Sequence, residues 1–164
     1  MISKTLQLIQ RMTQYEKGVP HRIQHFLKVH TFALMIAEME GADERTVEIL
    51  RAATVVHDIG IKPSIVKYSS SAGEYQQIEG PEPAREMLKE VGYDEGLIER
   101  VCYLIAHHHT YTNIDGLDYQ ILVEADFLVN IFEDGMKMPQ IISVRARVFK
   151  TKAGIQLLED MYLS

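Results

Sequence analysis

The 164-residue chain has no tryptophan and a single cysteine, Cys102. One cysteine excludes an internal disulfide framework and a thiolate zinc site, and it suits a cytoplasmic protein. No apolar run approaches the ~20 residues that a membrane span needs. The opening "MISKTLQLIQRM" is amphipathic, without a signal-peptide core or a small-residue cleavage site, so no secretion signal is expected. Positive charge is not in excess either. The formal net charge is −6, and no basic patch of the kind that nucleic-acid binders carry stands out. A small anionic substrate stays compatible, because a local cluster can oppose the global charge. Alternating strand patterns, internal repeats and long linkers are also missing.

What remains is an ordinary soluble composition, 46% apolar and 24% charged, long enough to bury a core. The expectation is one all-α domain over residues 1–164. Helices are expected over 2–16, 21–40 and 44–58, then 95–109 and 118–133. A shorter one lies between Pro81 and Gly92. Pro20 marks one start, and Asp43 and Asp94 are N-caps. Gly60 is expected to close the third helix as a C-terminal cap. A terminal helical segment, 139–162, is expected to break near Gly154. Residues 61–79, with "SSSAG" and no clean period, read as the longest irregular stretch and as a cover over a site.

The stretch "AATVVHDIGIKPS", Ala52 to Ser64, runs an apolar face straight into His57 and Asp58. Burying polar groups there is costly unless something holds them. His25 shares a helix face with Val29, Phe32 and Ile36, and Arg22 lies one turn before it. Asp126 sits among Leu122, Val123, Val129 and Asn130, where an unpaired carboxylate is rare. Each of these residues has a plain structural reading: a satisfied core histidine, or a helix rotated to expose Asp126 beside Glu133. Together, two imidazoles and two carboxylates from three helices make a nitrogen-and-oxygen site. It suits Mn²⁺, Fe²⁺, Co²⁺ or Ni²⁺, with Mg²⁺ less well matched.

The segments "RIQHFLKVHTFALMIAE", "ILRAATVVHDIG" and "LVEADFLVN" resemble, in order and spacing, the HD superfamily of metal-dependent phosphohydrolases. The resemblance covers about residues 20–135. It implies an all-α bundle with the metal held by His25, His57, Asp58 and Asp126. His30 is a weaker match for the first histidine, since it lies about 140° further around the helix.

The resemblance also implies a small phosphorylated substrate, a nucleotide or another phosphate ester, hydrolysed by a metal-activated water. Asp58 is the family-like proton acceptor. Arg22, Lys62 and His107 or His108 are the candidates to offset phosphate charge, although a helix-end histidine also suits the dipole. Some members bind a second metal through a histidine pair here and one more histidine before the helix at Pro81. This chain has "YQQIEGP" there, which argues against a second metal; Glu79 is a weak substitute. The tyrosines Tyr68, Tyr75 and Tyr111 are candidates to stack on a base. A metal- or nucleotide-binding sensor without turnover is the alternative, and a purely structural helical protein is the third reading.

Overall fold

Capping side chains set where the first helices begin. A computed structural model describes residues 1–164. Ser3 accepts from the Leu6 amide at the head of α1 (Lys4–Tyr15). Pro20, which needs no amide partner, opens α2 (Pro20–Met39). Asp43 accepts from the Thr46 amide at 2.7 Å to start α3 (Glu44–Val56). Asp94 does the same for Leu97 at 2.9 Å, starting α7 (Glu95–His107). Between them lie α4 (Ile61–Tyr68), α5 (Gly73–Glu79) and α6 (Pro81–Val91). The chain ends with α8 (Leu117–Glu133), α9 (Met138–Arg147), α10 (Lys152–Leu158) and a π-turn (Glu159–Leu163). There is no strand, so the architecture is all-α. No helix is long and apolar enough to cross a membrane.

The centre is a three-helix unit in which α2 packs on both α3 and α8, and α3 also meets α8 and α7. Helix α1 lies across α3 and α6. One continuous apolar core runs through these helices. Helix α8 is buried around most of its circumference, as its apolar composition requires. His30 sits away from the other histidines. Its Nδ1 donates to the Thr54 hydroxyl at 2.8 Å, which in turn donates to the Leu50 carbonyl. This pins α2 to α3.

The structure corrects three expectations. Residues 61–79 are not irregular: they form two short helices, α4 and α5, joined where Ser69 adopts a left-handed conformation (φ 54°). Pro63 falls in the first turn of α4, where a missing amide costs little. Seven- and eight-residue helices are too short to show a period.

Gly60 is not a left-handed cap. Its φ is −73° and it leads into α4. Glycine is needed there because an added Cβ would lie 2.6 Å from the Gln76 carbonyl and 2.9 Å from the Gly80 amide.

The C-terminal break falls at Val148–Thr151, not at Gly154, which lies in α10. The buried Glu124 carboxylate of α8 makes that break. It accepts from the Lys150 and Thr151 amides and from the Thr151 hydroxyl. Gly154 leaves the space that this carboxylate fills.

Gly60→Ala therefore pushes two backbone segments apart directly behind His57 and Asp58. The expected cost is about 2 kcal/mol. In a chain of this size that lowers the melting temperature by roughly 4–8 °C. A calorimetric melt unchanged from wild type would contradict the close packing of α4 on the α5–α6 junction.

Candidate metal centre

His25 is on α2, His57 is the C-cap of α3, Asp58 follows it, and Asp126 is on α8. The packing of α2, α3 and α8 brings all four together. His25 Nε2 lies 3.2 Å from His57 Nε2, 3.2 Å from Asp58 Oδ2 and 3.1 Å from Asp126 Oδ1. His57 Nε2 is 3.4 Å from each of the same two oxygens. His57 is fully buried, and His25 and Asp126 nearly so.

The protons of these imidazoles are committed elsewhere. His57 Nδ1 donates to the Thr54 carbonyl at 2.6 Å. His25 Nδ1 donates to Glu133 Oε1 at 2.6 Å, and Lys28 Nζ holds the other Glu133 oxygen at 2.7 Å. In their neutral forms both rings therefore turn a lone pair inward. Two lone pairs and two carboxylates meet with no hydrogen between them, and Asp126 Oδ1 has no hydrogen-bond partner at all.

Ligand atoms about 2.1 Å from a common ion lie roughly 3.0–3.4 Å apart in octahedral or tetrahedral arrangements. The observed separations fit. The histidine protons held by a carboxylate and a carbonyl are also the outer-shell pattern of metal-ligating imidazoles.

Without a cation, protons must serve instead. Burial pulls the His25 pKa down, but Asp126 and Asp58 outweigh it and push it up to about 11. Burial likewise opposes the charge on Asp58 and Asp126. The histidines win, His57 and His108 at Asp58 and His25 and His57 at Asp126, and hold both carboxyls below the usual range.

A second group adjoins the first. His108, the C-cap of α7, donates from Nδ1 to the Ile105 carbonyl at 2.9 Å. Its buried Nε2 has no hydrogen-bond partner and lies 3.4 Å from Asp58 Oδ1. His109 stands beside it, with Nε2 3.0 Å from Gln76 Oε1 and its amide donating to Gln77 Oε1. Burial, then the neighbouring His108, lowers the His109 pKa to about 4. Asp58, His108 and His109 form a group that could hold an ion, as do His25, His57 and Asp126.

His107, expected as a catalytic candidate, is turned the other way. It donates to the Tyr103 carbonyl and stacks on the Tyr103 ring. Glu79 is held by Tyr68 and Lys67 rather than by the histidines. Tyr68 and Tyr75 belong to helices, not loops, and stack on each other at 4.1 Å. Tyr111 packs on Phe127. Burial, then the carboxylate of Asp126, raises its pKa to about 12.

Arg22 places Nε 2.7 Å from Glu16 Oε2. Lys62 Nζ donates to the Tyr15 carbonyl at 3.0 Å and lies over the Tyr15 ring.

Sequence reasoning did not pick out His109, Gln76 or Glu16. Glu133 had a usable signal: it lies seven residues from Asp126, on the same helical face.

A model of the HD domain matches residues 22–150. The chain belongs to the HD-domain family. HD domains bind divalent metals, and both His/Asp groups lie within the matched segment. The fold is also that of the crystal structure of a predicted HD superfamily hydrolase from an uncultured Thermotogales bacterium. The two share 24% identity over 96% of this chain and 84% of that one, with a TM-score of 0.66. No curated protein matches the sequence.

Asp126→Ala is expected to abolish bound metal while the far-ultraviolet helical signal persists. Full stoichiometry by elemental analysis would remove Asp126 from the ligand set. Metal uptake should also depend on pH. With a metal-free His25 pKa near 11, a cation entering at neutral pH displaces about one proton. Titration calorimetry in two buffers of different ionisation enthalpy reads that proton directly. In chelated protein, the His25 contribution to stability is complete below its ordinary pKa of 6.5 and is lost as the pH climbs through about 11. Chelated melting temperatures should accordingly fall between pH 7 and 10.

Proposed function

We propose that this HD domain is a metal-dependent phosphohydrolase acting on a nucleotide or another small phosphate ester in the cytoplasm. The observation that carries the reading is the convergence of His25, His57, Asp58 and Asp126, four potential ligand atoms within 3.4 Å of their neighbours around one point. A divalent cation there, Mn²⁺, Fe²⁺, Co²⁺ or Ni²⁺ before Mg²⁺, supplies Lewis acidity and lowers the pKa of water from 15.7 toward neutrality.

The surrounding residues then have distinct tasks. The Arg22 fork matches the geometry of phosphate oxygens, and Lys62 adds a second positive charge beside it. Asp58 divides its carboxylate. Oδ2 faces His25 and His57, and Oδ1 faces His108 at 3.4 Å. Oδ1 takes a proton from the attacking water in this reading, with His108 Nε2 as the next acceptor. Water oxygen bonds to phosphorus, the ester oxygen leaves, and Arg22 and Lys62 offset charge on the phosphoryl oxygens.

Gln76 favours a second reading. It occupies His109 Nε2, which supports a metal- and nucleotide-binding sensor without turnover. A panel of nucleotides and generic phosphate esters, assayed with Mn²⁺, Fe²⁺ and Mg²⁺, separates the two. Phosphate release supports the hydrolase, and tight nucleotide binding without release supports the sensor. On the substrate that turns over, Arg22→Ala should raise KM roughly tenfold or more, as expected for a lost charge-assisted contact, with metal content unchanged. Equal KM values would remove Arg22 from the phosphate site.

A further inference from the structure

Resting on the phosphohydrolase reading, we infer that Glu16, the residue that closes α1, is a positioning residue that holds the Arg22 guanidinium for a substrate phosphate.

Glu16 is only 2% exposed. Carboxylates are seldom buried to that degree without hydrogen bonds, yet neither Glu16 oxygen has such a partner. Its one close contact is ionic. Oε2 lies 2.7 Å from Arg22 Nε, but the N–H does not point at the oxygen, and Nε too lacks a hydrogen bond. The carboxylate's one partner is thus the guanidinium. What it does is fix one edge of a guanidinium whose other edge makes no ion pair within the protein.

The same helix end is fastened to the chain around the candidate centre. The Tyr15 hydroxyl donates to the Ile59 carbonyl at 3.2 Å, and Lys62 Nζ donates to the Tyr15 carbonyl. Tyr15 and Glu16 thus reach Arg22, three residues before His25, and Lys62, four residues after Asp58. Both residues lie outside the segment 22–150 that matches the HD domain. Helix α1 completes this edge of the site from beyond the family core. An arginine fork anchored along one side loses less freedom on binding phosphate than a free one.

The charge of Glu16 makes the test decisive. As a simple negative charge it opposes phosphate, so its removal would tighten binding. As the anchor of Arg22 it assists, so its removal weakens binding.

The probes are inorganic phosphate binding to the Mn²⁺-loaded full chain and steady-state kinetics with p-nitrophenyl phosphate. Glu16→Gln, which keeps the volume, is expected to raise the phosphate Kd and the KM about fivefold, with metal content and kcat near wild type. In an Arg22→Ala background the same substitution should add nothing, because residues that act through one another are not additive. Tighter binding, unchanged binding, or an equal loss in both backgrounds overturns the inference. A wild-type protein that binds phosphate while Glu16→Gln matches it sinks this inference alone. A wild-type protein that neither binds phosphate nor cleaves the ester overturns the phosphohydrolase reading together with it.

Discussion

The inward direction of the imidazole lone pairs is the constraint on which the centre depends, and helix ends impose it. The last turn of any helix leaves carbonyls without amide partners. His57 and His108 are both C-caps, and each spends its Nδ1 proton on the carbonyl three residues back, Thr54 and Ile105. That bond satisfies an orphan acceptor, selects the tautomer and aims Nε2 at the cluster. His25 lies in the middle of α2, where every carbonyl is already used, so it needs an acceptor from elsewhere. Glu133 on α8 provides one, and Lys28 holds that carboxylate in place. A cluster of inward-facing ring nitrogens and carboxylates thus follows from where α3 and α7 stop and from which face α8 presents.

Helix α8 shows why this cluster is not simply a way to stabilise the fold. It buries three carboxylates, Asp118, Glu124 and Asp126. Asp118 meets the Arg100 guanidinium through two nitrogens. Glu124 takes two backbone amides, a hydroxyl and the Gln120 amide, and so ties down the start of α10. Both are supplied with hydrogens by the protein itself. Asp126 is supplied with none while its neighbours stay neutral, and it faces another carboxylate and two ring nitrogens. Burial on those terms is unfavourable unless a cation or added protons are present. The difference among three acids on one helix marks Asp126 as the member whose surroundings call for a cation.

Much of this was legible in the sequence, and the limits have physical causes. Capping residues and long apolar faces located α2, α3, α7 and α8, and those are the helices that carry the cluster. The short helices α4 and α5 escaped because Pro63 and the serines at 69–71 imitate a loop, while seven or eight residues leave no period to read. Gly60 was misread because sequence shows that a Cβ is absent, not whether φ or a neighbouring backbone requires it. Helical phase puts His108 on the apolar stripe of Leu97, Val101 and Leu104, and it is buried, but phase alone did not decide between His107 and His108 for a role. Each step turns the side chain by about 100°, and the helix ends among them. Only the real end of α7 turns His107 onto Tyr103 and His108 toward Asp58. Glu16 left no trace, since its meaning depends on how α1 lies across the core.

On the proposed reading, charge explains how an acidic chain can attract a phosphorylated substrate at all. A dication at the centre would cancel Asp58 and Asp126 and leave the site edge to decide. There Arg22 and Lys62 outnumber Glu16 by one positive charge, close to the centre and partly out of water, where such a charge acts strongly. The net −6 of the chain sits mostly on exposed helix faces and is screened within about 8–10 Å at ordinary ionic strength. In the proposed reaction, recognition beyond phosphate falls to fewer groups than the tyrosine count suggests. Tyr68 and Tyr75 already stack on each other. Tyr111, half-exposed and backed by Phe127, is the aromatic left over the cluster. A flat base meeting one aromatic face, with no second ring to close on it, makes the phosphate subsite the main determinant of binding.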